Sequence, residues 1–233
     1  MFFRTVFAGV LLAGFSHGAL AEIGPCKPDK SETMVCGSGI GAARTIPELI
    51  SPDKKFAFAW RNPKSAPDTE PDEPRDNELL LIRLADGAVL ARTQTEYWFT
   101  GEARANRQHE TSLWSNNSRM VARVWDTRFE TSGFTMWAVT ADGKLAGEVD
   151  LRKIVEPAVR GELKKVVRDT RDYAFTVYTD QEFTLKDNGR LGFHATMTIP
   201  KKEGGEEFYV DMKATVVNGK LTARVLKVEH LKN

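Results

Sequence analysis

Apolar and polar positions alternate along most of the chain, and a period of two predicts strands. Phe56, Phe58 and Trp60 share one side of a first strand, with Ala57 and Ala59 on the other. Residues 79–84 are apolar on both sides except at Arg83, as in a strand buried on both faces. Met120, Ala122 and Val124 oppose Val121, Arg123 and Trp125 in a further strand, and 134–140 and 145–151 follow it. Late in the chain Phe208, Val210, Met212, Ala214 and Val216 alternate with Tyr209, Asp211, Lys213, Thr215 and Val217. Between these two groups the period changes. Leu151, Ile154, Val155, Ala158, Val159 and Leu163 recur at three- and four-residue steps, which predicts one or two short helices interrupted at Pro157 and Gly161.

Turn chemistry punctuates the strands. Asp86-Gly87, Asp142-Gly143 and Asn218-Gly219 supply the left-handed residues that tight hairpins require. Residues 62–78 carry Pro63, Pro67, Pro71 and Pro74 among Asp68, Glu70, Asp72, Glu73 and Asp76, so they predict a long, solvated acidic loop. Its carboxylate spacing matches no calcium loop. The run 96–100 is expected to complete a four-stranded meander with the strands at 56–61, 79–84 and 89–93. The fold predicted is therefore mainly β. It consists of antiparallel meanders, partly propeller-like or sandwich-like, with one short helical segment near 151–168.

Residues 1–21 stand apart. Arg4, an apolar run over 5–15 and Ala19-Leu20-Ala21 have the form of a secretory signal peptide with cleavage expected after Ala21. The rest divides into a segment at 22–50, strands at 51–150, and a helix with hairpins at 151–233, read together as one domain. The chain has 33 basic and 32 acidic residues, and removing Arg4 balances them, so no net charge argues for nucleic acid as a partner. No segment beyond the leader is long and apolar enough to span a membrane. In an exported chain the two cysteines, Cys26 and Cys36, are expected to form a disulfide.

One phrase occurs twice. Ser51-Pro52-Asp53-Lys54-Lys55 runs into an apolar strand, as does Ser115-Asn116-Asn117-Ser118-Arg119, and each copy is followed by Ala-Asp-Gly, at 85–87 and 141–143. The pattern resembles blades of TolB and WD-repeat β-propellers over about 51–150. The resemblance implies a binding platform and carries no catalytic residue with it.

Candidate chemistry is sparse. Gly37-Ser38-Gly39-Ile40-Gly41-Ala42 has a dinucleotide spacing, but it follows a cysteine loop rather than a strand and reads as a flexible connection. Gly14-Phe15-Ser16-His17-Gly18 matches a nucleophile elbow, yet it falls in the leader. No pair among His109, His194 and His230 has metal-ligand spacing. His109 with Glu110 and Glu102 is the one place where a base and carboxylates lie close, and Tyr97, Trp98 and Trp114 flank it. These observations support an exported, periplasmic or secreted, non-catalytic domain. It is expected to bind a protein, peptide or envelope component, needs no cofactor, and has Tyr97, Trp98, His109 and Trp114 as its ligand-contact residues. A small exported hydrolase using the His109 loop and a structural envelope protein are the alternatives.

Overall fold

A computed structural model describes residues 23–30, 33–105, 108–202 and 204–231; the leader read at 1–21 lies outside them. Among the described residues strands make up 51% and helix 7%, so the mainly-β, antiparallel class holds, with a sheet curled into a half-barrel. The first sheet is a six-stranded meander of β1 (Cys26–Pro28), β2 (Met34–Cys36), β3 (Ala43–Ile50), β4 (Phe56–Arg61), β5 (Glu78–Arg83) and β6 (Ala88–Gln94). The second contains β7 (His109–Trp114), β8 (Met120–Asp126), β9 (Thr131–Val139) and β10 (Leu145–Asp150). Helix α1 (Arg152–Leu163) leads to the third, built from β11 (Ala174–Tyr178), β12 (Thr184–Leu185), β13 (Arg190–Thr198), β14 (Gly205–Val217) and β15 (Lys220–Leu231). Within each sheet hydrogen-bonded neighbours are almost all consecutive in sequence, because tight hairpins join them. Asn218 and Gly219 both have positive φ, at 51° and 72°, as the β14–β15 turn requires.

The second sheet lies between the other two. One of its faces gives Trp114, Val121, Trp137 and Val139 to a core with Phe56, Phe58, Trp60, Leu79 and Leu81 of the first sheet. Its other face gives Ala122, Val124, Phe134 and Met136 to a core with Val155, Val159 and Leu163 of α1 and with Phe175, Phe193, Phe208 and Val210 of the third sheet. The alternation read from β4 is realised: its aromatics enter the first core, while Ala57 and Ala59 join Leu80, Ile82 and Cys36 in a third cluster. Cys26 and Cys36 face each other directly across β1 and β2 and form the expected disulfide, a staple worth about 2–3 kcal/mol for a loop this short.

The two repeated turns are built alike. Ser51 Oγ accepts from the Phe56 N–H at 3.0 Å and donates to Asp53 Oδ1 at 2.8 Å. Ser115 Oγ accepts from the Met120 N–H at 3.0 Å and donates to Asn117 Oδ1 at 2.9 Å. Asn117 thus replaces Asp53 without loss, since each offers the same acceptor oxygen. Lys54 and Ser118 both have φ of 56°. The turns also touch, the Asp53 N–H donating to Ser118 Oγ at 3.1 Å.

Several expectations require correction. Residues 96–100 form no strand; Phe99 makes a single bridge to Arg104. The fourth long strand of the first sheet is β3, hidden in sequence by Pro47. The register slips between Thr45 and Ile50, and such an irregularity is where a strand tolerates proline. The acidic loop keeps Asp68, Glu70, Asp72 and Glu73 in solvent but buries Pro67 and Pro71. The Pro67 carbonyl accepts from Arg44 Nε at 3.0 Å. The helix continues through Pro157 and Gly161, because the Val155, Val159 and Leu163 stripe anchors it in the second core.

Candidate functional site

The four residues expected to contact a ligand do not form one surface. Trp98 and Trp114 are buried in the first core. Trp114 stacks on Phe56 at 6.1 Å and donates its Nε1–H to the Leu49 carbonyl. Apolar burial makes both tryptophans packing residues, and the Trp114 indole is satisfied as well. Tyr97 is half-buried against the same core, and burial pushes its phenol up to about 12. His109 is exposed at the start of β7. Glu102 is exposed, and Glu110 turns inward away from it. Glu110 commits both carboxylate oxygens: Oε2 accepts from Arg123 Nε at 2.7 Å, and Oε1 accepts from Arg123 Nη2 and from Thr95 Oγ1, each at 2.5 Å. The acid–base set expected around His109 is therefore not assembled among the described residues.

Strand register explains where the polar groups go. Ser112, Arg123, Thr135 and Asp150 form one row across the second sheet, and Glu110, Trp125 and Gly133 form the next. They lie on the face that gives Trp114, Val121 and Trp137 to the first core. That face is apolar where the first sheet covers it and polar beyond. Both Arg123 and Glu110 have almost fully buried side chains, at 1% and 0% exposure. Arg123 also donates to the Gln94 carbonyl and lies 5.4 Å from the centroid of Trp125. A Cβ at Gly133 would sit 2.9 Å from Arg123 Nη1, so glycine there makes room for the guanidinium.

Above this row opens a cleft of about 780 Å³. Its floor includes Arg123, Trp125 and Thr135; the end of β6 forms one wall, and Arg152, Glu156, Arg160 and Lys164 of the α1 segment form the other. The arginines are tied internally. Glu156 accepts from Arg152 Nε at 2.9 Å and from Arg160 Nη2 at 2.8 Å, and the two cations hold its carboxyl below the usual range against the opposing effect of burial. Lys164 is exposed and makes no side-chain hydrogen bond or ion pair among the described residues. The arrangement is a preorganised, cation-rich wall beside an aromatic ring, suited to holding a ligand rather than to activating a nucleophile.

Next to the row, Asp126 closes β8. Its Oδ1 accepts from Thr131 Oγ1 at 2.5 Å, and Thr131 Oγ1 in turn accepts from the Val177 N–H at 2.8 Å, tying the second sheet to the third. Burial pushes the Asp126 carboxyl up to about 6; Glu110 adds to this, while Thr131, His109 and Arg123 oppose it. Between the ordinary value and 6 the folded state binds the proton more readily than the unfolded chain. Stability from this group is therefore present at low pH and is lost as pH rises through 6. Asp126→Asn, which keeps the acceptor oxygen, is expected to stabilise the protein at pH 7.5 by on the order of 2 kcal/mol. The gain should vanish near pH 4; urea titrations of both proteins at the two pH values check this, and a pH-independent difference would refute it.

Sequence reading missed Arg123, Glu110 and Trp125 as a unit. A charged residue on the same strand face as Val121 and Trp125 was the available signal, since a charge in an apolar row needs a buried partner. No protein family matches the chain, and no curated protein matches it.

Proposed function

We propose that the protein is an exported, non-catalytic binding domain of the cell envelope, and that its partner, a protein, peptide or envelope component, seats in the cleft between β6, the Arg123–Trp125 row and α1. The observation that carries this reading is the convergence of two sheets and the helix on one concavity. Its arginines are held rigid by ion pairs, while the Trp125 ring and the unengaged Lys164 line its surface. The blade resemblance over 51–150 points the same way only through its repeated meanders, since the sheets curl and stack without a clear propeller. The disulfide and the absence of any described helix long and apolar enough to cross a membrane are compatible with export.

The test is affinity capture from the native envelope with the wild-type chain, Trp125→Ala and Lys164→Glu, after near-UV circular dichroism has shown the variants folded. One component should be recovered with the wild type and be depleted at least fivefold with each variant. Equal recovery by all three would exclude the cleft.

A further inference from the structure

A second concavity lies on the outer face of the third sheet. Along β13, Leu191, Phe193, Ala195 and Met197 enter the core, so His194, Thr196 and Thr198 point the other way. In register, Thr176, Thr196 and Glu207 form one row and Tyr178, His194 and Tyr209 the next. A cleft of about 480 Å³ stands over the first of these rows. The loop carrying Arg128 and Phe129 forms one wall, and the turn carrying Lys201 and Lys202 forms the other.

Two features set this cleft apart from an ordinary sheet surface. Thr196 lines it, is only 3% exposed, and leaves its Oγ1 buried with no hydrogen-bond partner. Buried hydroxyls almost always find a partner, so this one lacks the group it would bond. The second feature is Phe129, a large apolar ring held 41% exposed at the rim, with the Arg128 guanidinium 4.9 Å from its centroid. An exposed ring fixed by a cation presents a flat apolar surface at little entropic cost.

The lining identifies the class of occupant. Thr176, Thr196 and Thr198 offer hydroxyls that both donate and accept. The rim carries charges of both signs, Arg128, Lys201 and Lys202 against Glu130 and Glu207, which favours a ligand of many neutral hydroxyls over a strongly charged one. A peptide strand would need an open backbone edge. The middle of the floor has none, because Thr196 is paired with Thr176 on one side and Glu207 on the other. From the orphaned Thr196 hydroxyl, the threonine row and the presented Phe129 ring, we infer that this cleft is a binding site for a short saccharide. Sugar hydroxyls bond the threonines and a pyranose C–H face packs on Phe129. The site is separate from the Trp125 cleft and does not depend on its function.

Threonine-methyl NMR of the full chain tests it, with three probes: maltotriose, cellotriose and the trimer of N-acetylglucosamine. Trialanine serves as the peptide control. At least one saccharide should shift the methyl signals of Thr176 and Thr198 in a saturable way, and trialanine should not. Thr196→Val should remain folded, with a thermal midpoint at or above the wild type, yet bind that saccharide at least tenfold more weakly; Phe129→Ala should weaken it similarly. Unchanged affinity in Thr196→Val would make Thr196 a packing residue and overturn the site. Silence from all three saccharides, or equal binding of trialanine, would overturn it too.

Discussion

Glu110→Gln is expected to lower stability by about 3–5 kcal/mol, because it leaves the Arg123 guanidinium buried without its counter-charge. The geometry allows no easy relief. Arg123 is 1% exposed, its Nε and Nη2 both donate to Glu110, and Gly133 and Trp125 pack around it. Glutamine would keep the shape of the side chain but turn donor hydrogens toward donor hydrogens. The pair itself contributes less than this loss suggests, since desolvating two charges offsets much of their attraction. The double variant Glu110→Leu with Arg123→Met should therefore lie within about 1 kcal/mol of the wild type. Urea unfolding of the two proteins measures both numbers. A loss below about 1 kcal/mol for Glu110→Gln would mean that water reaches the guanidinium and that the pair is not sealed.

Trp137→Ala should cost a comparable amount, about 3–5 kcal/mol, for a different reason. Trp137 is 1% exposed, its ring lies 5.4 Å from Phe58 of the first sheet, and its Nε1–H donates to Glu148 Oε2 at 2.9 Å. Alanine removes the side chain that fills the space between the first and second sheets and leaves a cavity the rigid strands cannot close. Because the second sheet is shared by both main cores, the loss should register throughout the molecule. Fluorescence of the remaining tryptophans and far-UV circular dichroism should report one coincident, downshifted transition. Two separated transitions would show that the first sheet unfolds on its own and that the sheets are not one cooperative unit.

Both predictions rest on positions whose pattern, but not whose consequence, is visible in sequence. The alternation at 120–125 placed Val121, Arg123 and Trp125 on one side correctly, yet the same alternation cannot say what lies opposite an arginine. The answer, Glu110, comes from β7, whose first residues are a polar stretch with no apolar alternation. Trp98 and Trp114 show the converse. Their flanking of a polar stretch suggested an exposed binding surface, but β7 turns Trp114 beneath the first sheet, and Trp98 follows β6 into the same core. Thr196 was unremarkable in sequence, since a threonine on the polar side of a strand is ordinary. Only the loops packed beside it leave its hydroxyl buried and unbonded.

The amino-acid pattern by itself determined the local structure. Hairpin turns followed from Asp-Gly and Asn-Gly, the paired serine turns from their short hydrogen-bonding side chains, the inward faces of β4, β8 and β14 from period two, and the helix from its three- and four-residue spacing. These depend on interactions within a few residues, which sequence displays directly. The tertiary structure decided the rest: which sheet covers which face, that Pro47 is accommodated at a register slip in a strand, that Glu110 meets Arg123, and that one cleft opens beside α1 and another over the third sheet. Each of these is a contact between residues distant along the chain, selected by the packing of whole faces against one another, and no local spacing encodes it.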